Sequence, residues 1–232
     1  MTETQTTVLL LYPKTMLARF LSRPNRFIAH VEAEGETLVC HVKNTGRCKE
    51  LLLPGALVVI APAQNPLRKT KYDLVAVYKG DMLINLDSQA PNVVAYAWLK
   101  EQYPDAIVKR EAVFEHSRLD FHVSKEGFSL YVEVKGCTLE EDGVALFPDA
   151  PTERGVKHLN TLVSCVQQGH QAMALFVIQM RPVRCFSPHD AMHPGFGEAL
   201  RRAVAANVRL AAYDCLVQPE GMAIHAPVPV LL

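Results

Sequence analysis

Two carboxylates and a lysine lie in two neighbouring strand-like segments, residues 118–123 and 130–136. Apolar and polar residues alternate in both segments, which predicts two half-buried β-strands joined by a tight turn at Gly127. Leu119 is assigned to the apolar face with Phe121, Val123, Leu130, Val132 and Val134. The other face carries the polar side chains Asp120, His122, Tyr131, Glu133 and Lys135. If Ser124 pairs with Ser129, Asp120 lies opposite Glu133, with Cβ atoms about 4.5–5.5 Å apart.

Opposed carboxylates repel each other unless a cation lies between them, and oxygen ligands suit Mg²⁺ or Mn²⁺. Glu111, in the preceding strand-like segment, would supply a third carboxylate. Lys135 beside such a cation can orient a water molecule and offset negative charge on a phosphate. The set Asp120, Glu133, Lys135 and Glu111 therefore favours phosphodiester hydrolysis, with Asp120, Glu133 and Glu111 as metal ligands. The alternative is a solvent-facing hairpin with an ordinary Glu/Lys alternation.

Charge is distributed unevenly along a chain whose formal net charge is zero. The first 80 residues hold 11 Lys and Arg against 6 Asp and Glu, and the remainder is acidic. Such an asymmetry is typical of a polyanion partner such as DNA, although a solvated surface would look the same. The residues predicted to contact nucleic acid are Arg19, Arg23, Arg26, Lys43, Asn44, Arg47 and Lys49, followed by Arg154, Lys157 and His158 near the start of a later helix. Tyr12, Phe20, Tyr72 and Tyr78 are candidates either for base stacking or for the core.

Several protein classes are disfavoured. The six cysteines contain no Cys-x-x-Cys pair, which indicates buried thiols in a reducing compartment rather than a disulfide framework. We expect a cytoplasmic protein without a membrane contact, since neither a signal peptide nor an apolar run of about 18–20 residues is found. A zinc site at His189 and His193 is disfavoured by the surrounding prolines and glycine. No Walker loop, dinucleotide motif or Gly-x-Ser-x-Gly elbow occurs.

The order of elements predicts an α/β protein of two domains. Residues 1–86 contain five or six short strands broken by turns, which indicates a small OB-like β-barrel. After Leu86 the pattern becomes helix, three strands, helix, strand, helix, strand, which predicts a mixed sheet. The predicted domains are 1–86, for contact with the DNA backbone, and 87–232, for the acidic site.

Five segments resemble the sugar fermentation stimulation protein A (SfsA) family and, in the second domain, the PD-(D/E)xK nuclease superfamily. The matching segments are 41–47, 85–92, 117–121, 131–135 and 147–159. The resemblance implies an N-terminal OB-like domain and a C-terminal αβββαβ restriction-endonuclease-like domain. It also implies non-specific DNA binding linked to sugar metabolism, and a nuclease-type site at Asp120, Glu133 and Lys135 with Glu111 as an extra acid.

Two functions remain open at this point. The first is a DNA-binding protein with a metal-dependent nuclease-type site. The second is a non-catalytic, non-specific DNA-binding regulator of sugar (maltose) metabolism genes that uses a nuclease fold. A carbohydrate-binding barrel is a weaker third alternative, because no cluster of exposed aromatic residues supports it.

Overall fold

The computed structural model describes residues 8–44, 46–65 and 67–232. The helices are α1 (Ala90–Gln102), α2 (Glu153–Gln167) and α3 (Pro194–Ala205). The strands are β1 (Leu9–Leu10), β2 (Met16–Asn25), β3 (Ile28–Ala33), β4 (Glu36–Val42), β5 (Leu57–Pro62), β6 (Tyr72–Lys79), β7 (Met82–Asn85), β8 (Ile107–Phe114), β9 (Ser117–Lys125), β10 (Phe128–Cys137), β11 (Leu139–Glu141), β12 (Val144–Phe147), β13 (Gln171–Ile178), β14 (Cys185–Pro188), β15 (Arg209–Gln218) and β16 (Gly221–Pro227).

Strands β2 to β6 close into a five-stranded barrel. β2 pairs with both β3 and β5, β3 pairs with β4, and β5 pairs with β6, all antiparallel. A parallel pairing of β4 with β6 completes the barrel, so these strands have no free edge. Alternate residues of β3, namely Ala29, Val31 and Ala33, are buried inside it. The predicted OB-like barrel is therefore confirmed.

The remainder of the chain forms a mixed sheet in the order β1-β16-β15-β13-β10-β9-β8. β8, β9 and β10 are antiparallel, whereas β10, β13 and β15 run parallel. α1 packs on one face through Val94, Trp98 and Leu99, and α2 packs on the other through Leu159 and Leu162. β13 is apolar and buried along nearly its whole length because helices cover both faces of the sheet at this point. The predicted α/β fold with a mixed sheet is confirmed.

The first strand departs from the predicted division of the chain. Leu9 and Leu10 of β1 pair with Met222 and Gly221 of β16, at the far edge of the second sheet. The predicted first domain of residues 1–86 therefore contains two residues that belong structurally to the C-terminal sheet. Sequence analysis missed this because the pairing joins segments more than 200 residues apart, and β16 itself was not predicted.

The aromatic side chains that were candidates for base stacking mostly lie in or against the hydrophobic core of the barrel. Tyr12 and Phe20 are buried, and Tyr72 and Tyr78 pack against the barrel clusters. Five cysteines are buried and Cys185 is partly buried, all as free thiols. In the described ranges, no helix is long and apolar enough to cross a membrane.

Gly136 in β10 marks a close approach of three segments within the second domain. A Cβ at this position would lie 2.5 Å from Gln179 Oε1 and 2.7 Å from Pro91 Cγ. We expect Gly136→Ala to lower the free energy of unfolding by about 1–3 kcal/mol, because both neighbours must move. Urea denaturation checks this, with Gly195→Ala as the control, since its nearest neighbour is at 3.5 Å. An equal stability of the two variants would contradict the prediction.

Candidate active site

The hairpin of β9 and β10 has the predicted register. Ser129 pairs with Ser124, and the ladder continues to the pair Val132 and Phe121. Beyond that pair, the backbone N–H of Val134 donates to Asp120 Oδ2 at 2.8 Å. A side-chain carboxylate thus takes the place of a backbone acceptor at the end of the ladder. The Asp120 carboxylate is thereby fixed beside Glu133 and Lys135.

The predicted alternation is wrong at Leu119. Phe121 and Val123 pack in the cluster that contains α1, but Leu119 packs in the cluster that contains Leu159 of α2. Ala112 of β8 pairs with Leu119, and the preceding residue, Glu111, is level with Asp120 and has a left-handed φ of 54°. The edge strand is therefore distorted beside Asp120. Sequence alternation assumes a regular strand and cannot detect this distortion.

Asp120 is bound on two sides. Asn92 of α1 donates to Oδ1 at 2.9 Å, and Val134 donates to Oδ2. Burial and the nearby charge of Glu133 nevertheless raise the pKa of Asp120, although both hydrogen bonds act in the opposite direction. The two carboxylates therefore repel each other, which is the interaction expected of opposed acids without a cation between them.

Glu133 is buried and has two differently placed oxygens. Oε1 accepts from Lys135 Nζ at 2.6 Å and from His158 Nδ1. Burial opposes ionisation of this carboxyl, but the bonds from His158 and Lys135 outweigh it and lower the pKa of Glu133. Oε2 is buried and has no hydrogen-bond partner in the described part of the chain. An ionised oxygen left in this way is costly unless a ligand takes it up.

His158 is fixed in one tautomer by its neighbours. The Nε–H of Arg154 donates to His158 Nε2 at 3.4 Å, and a guanidinium can only donate. Nε2 is therefore the acceptor. Lys135 Nζ lies 3.4 Å from Nδ1, but Nδ1 is closer to Glu133 Oε1, so Nδ1 carries the proton that is donated to Glu133. His158 was predicted as a phosphate contact, and the structure places it against Glu133 instead. Its spacing of four residues from Arg154 on one helix face was the available sequence signal.

The third predicted acid, Glu111, forms an ion pair outside this cluster. The Glu111 carboxylate is 61% exposed and pairs with Arg118 Nε at 2.8 Å. Among residues 8–44, 46–65 and 67–232, no group of three or more His, Cys, Asp or Glu side chains is placed to hold a metal ion. The structure thus brings together Asp120, Glu133 and Lys135, adds Asn92 and His158, and leaves out Glu111. Asn92 was missed because it contacts the site from a helix 28 residues away in sequence.

Several of the residues predicted to contact nucleic acid are engaged within the protein. Arg23 donates to the carbonyl oxygens of Arg26, Asn44 and Arg47, and Lys43 pairs with Asp87 at 2.6 Å. Arg19 donates to the carbonyl oxygen of Gly55, while the Asn44 side chain accepts from Gly46 N–H. Three exposed cations, Arg26, Arg47 and Lys49, line one open cavity on the barrel. Lys157 lines a separate groove beside α2.

Comparison with known proteins agrees with this architecture. A family model described as the SfsA N-terminal OB domain matches residues 21–86, and one described as the sugar fermentation stimulation protein RE domain matches residues 89–221. The sugar fermentation stimulation protein homolog of Clostridium beijerinckii is 47% identical over 224 residues, covering 95% of this chain and 99% of the relative. The chain belongs to the SfsA family.

Other SfsA relatives match to a similar extent. The homolog of Desulfitobacterium hafniense strain Y51 is 50% identical over 213 residues, covering 91% of this chain and 93% of the relative. The solved structure of Pyrococcus furiosus SfsA in complex with Ca²⁺ superposes with a TM-score of 0.87 at 25% identity, covering 97% of this chain and all of that one. The SfsA fold thus extends over nearly the whole chain.

Proposed function

We propose that this chain binds DNA and hydrolyses phosphodiester bonds in a divalent-cation-dependent reaction at Asp120, Glu133 and Lys135. The observation that carries the proposal is the buried, unpartnered Oε2 of Glu133 beside the carboxylate of Asp120. Two carboxylates are enough for Mg²⁺ or Mn²⁺, because these ions usually keep several waters and take further oxygens from the substrate phosphate. The Ca²⁺ in the complex of Pyrococcus furiosus SfsA supports a cation of this hard, oxygen-binding class.

Each residue has a separate part in the proposed reaction. Asp120 and Glu133 would hold the cation, which when bound polarises the phosphodiester and lowers the pKa of an attacking water. Lys135 presents its ammonium group beside Glu133, where it can offset negative charge on the phosphate. Asn92 and the N–H of Val134 orient the Asp120 carboxylate, and His158 orients that of Glu133. The exposed cations of the barrel would hold the nucleic-acid backbone, which gives a salt-dependent affinity.

A second candidate is the non-catalytic DNA-binding regulator of sugar metabolism genes. One observation favours it: the ammonium of Lys135 and the imidazole of His158 already bind Oε1 of Glu133. The acidic site is thus partly neutralised by the protein's own side chains. In this candidate the carboxylates stabilise the fold and no bond is broken.

A cleavage assay separates the two candidates. Purified protein is incubated with single- and double-stranded DNA in Mg²⁺, Mn²⁺ or EDTA. We expect cleavage only with a metal, and a loss of about 100-fold or more in each of two variants. Asp120→Ala removes a ligand of the cation, and Lys135→Ala removes the ammonium that offsets charge on the phosphate. Glu126→Ala is the control, since Glu126 lies exposed in the turn of the same hairpin.

The outcomes of this assay are distinct. Cleavage that persists in both variants would overturn the assigned site. Absence of cleavage together with salt-sensitive DNA binding would support the regulator. Absence of both would exclude both candidates.

A further inference from the structure

An open cavity of about 640 Å³ lies on the barrel beside the C-terminal half of β2. Its volume is within the roughly 300–1,000 Å³ typical of small-ligand sites. Four cationic side chains line it, and the lining contains no acidic residue. They are Arg23, Arg26, Arg47 and Lys49. The lining therefore has a net positive charge, although the Asp149 carboxylate lies beside Gly46 of the same lining.

The walls of this cavity are held together by one side chain. The guanidinium of Arg23 donates to Arg47 O at 2.6 Å, to Arg26 O at 2.7 Å and to Asn44 O at 2.9 Å. These bonds tie the β2–β3 turn to the loop that follows β4. A site whose walls are already fixed loses less entropy when a ligand binds. Arg23 thus shapes the cavity, and Arg26, Arg47 and Lys49 remain exposed at it.

Two other cavities are lined by acidic as well as basic side chains. In one of about 310 Å³, Arg68 is paired with Asp73 and Lys43 with Asp87. A groove of about 430 Å³ beside α2 contains Glu115 and Glu153 together with Lys157. Of these three, the barrel cavity is the one suited to an anion.

The floor of the barrel cavity is apolar. Its accessible part is formed by Pro54 and by Leu21, which is 37% exposed, and the buried Phe20 and Leu52 complete the lining. A DNA duplex would contact the cationic rim with its phosphates but would leave this floor uncovered, because its bases are stacked inside. An unstacked nucleotide can place its base on the apolar floor and its phosphate at the rim.

We propose that the cavity bounded by Arg26, Arg47 and Lys49 receives an unstacked nucleotide of a single-stranded nucleic acid. The proposal rests on the nucleic-acid binding proposed above and adds the form of the ligand. The shared chemistry is a planar base joined to a phosphate, which single-stranded DNA and RNA both supply.

Fluorescence anisotropy with three labelled ligands tests the base and the phosphate separately. The ligands are oligo-dT of about 12 nucleotides, an abasic strand of equal length, and a duplex, within the 4–16 nucleotides that one OB fold covers. We expect the abasic strand and the duplex to bind about tenfold more weakly than oligo-dT, because both leave the floor empty. Oligo-U in a fourth arm decides between DNA and RNA as the source.

Two matched variants locate the effect. Leu21→Asn should reduce the preference for oligo-dT over the abasic strand to less than about twofold, because the floor becomes polar. Leu17→Asn is the control, since Leu17 is a 54% exposed residue of the same strand that lies outside the cavity lining. Arg47→Ala should weaken all ligands to a similar extent.

Equal affinity for oligo-dT, the abasic strand and the duplex would overturn the nucleotide site and leave the proposed DNA binding intact. A preference that Leu21→Asn leaves unchanged would also overturn it. Loss of salt-dependent binding to every ligand would contradict the proposed function itself.

Discussion

Asp120→Asn is expected to raise the melting temperature of the protein in EDTA and to abolish any gain from Mg²⁺ or Ca²⁺. The raised pKa of Asp120 means that burial and the charge of Glu133 disfavour the ionised carboxylate in the folded state. An asparagine removes that repulsion. Its amide oxygen can still accept from Val134 N–H, and its NH₂ can donate to Asn92 once the Asn92 amide rotates to present its oxygen. In the wild-type protein, a cation at about 100 times its Kd should contribute about 2.7 kcal/mol to folding.

The effect of pH on this site follows from the same shift. Because folding raises the pKa of Asp120, ionisation of this residue costs stability as pH rises from its unfolded to its folded pKa. A cation needs the ionised form, so the stabilisation it gives should decline as pH falls through the folded pKa. Glu133 behaves oppositely: its lowered pKa contributes stability that is lost as pH falls through the folded value.

Differential scanning fluorimetry with and without cation, at several pH values, checks these expectations. Asp105→Asn is the control, because Asp105 is exposed in the turn after α1. A cation-dependent gain that is equal in wild type and Asp120→Asn would remove Asp120 from the metal site. A melting temperature lowered in EDTA by Asp120→Asn would contradict the repulsion between the two carboxylates.

Asp87→Ala is expected to destabilise the whole molecule by about 3–5 kcal/mol, because it breaks a buried ion pair that joins the two domains. The Asp87 side chain is 4% exposed. Its Oδ2 binds Lys43 Nζ at 2.6 Å and accepts from Tyr12 OH at 3.0 Å, while Oδ1 accepts from Gln89 N–H at the start of α1. The backbone carbonyl of Asp87 accepts from Gln179, which lies at the end of β13.

The size of this effect depends on what remains after the substitution. The Lys43 side chain is only 22% exposed and its ammonium would lose its partner, and the Tyr12 hydroxyl would lose its acceptor. Because Lys43 can be partly hydrated, the decrease in the free energy of unfolding should lie toward the lower end of the range of about 3–5 kcal/mol. Urea denaturation measures it, and Asp81→Ala, at an exposed turn of the same barrel, should change stability by no more than about 0.5 kcal/mol. A loss below about 1 kcal/mol for Asp87→Ala would show that the network contributes little.

The hairpin register and the order of elements could be predicted from local sequence. Alternation with period two and the turn at Gly127 are short-range features, and they predicted the hairpin that the structure contains. The charge asymmetry indicated a basic barrel, but not which cations remain exposed. The intramolecular partners of Arg23 and Lys43 could not be predicted, because they are carbonyl oxygens and a carboxylate brought close by folding.

Residue types and spacing were sufficient to predict the α/β architecture. They also predicted that Asp120, Glu133 and Lys135 lie close together, because local pairing determines which residues are neighbours in one hairpin. Folding alone placed Asn92 and His158 at these acids and turned Glu111 toward Arg118. It also paired β1 with β16 and brought together the residues that line the open cationic cavity around Arg23. These contacts join segments distant in sequence, and their formation depends on how helices and loops pack against the sheet and barrel rather than on any periodic pattern.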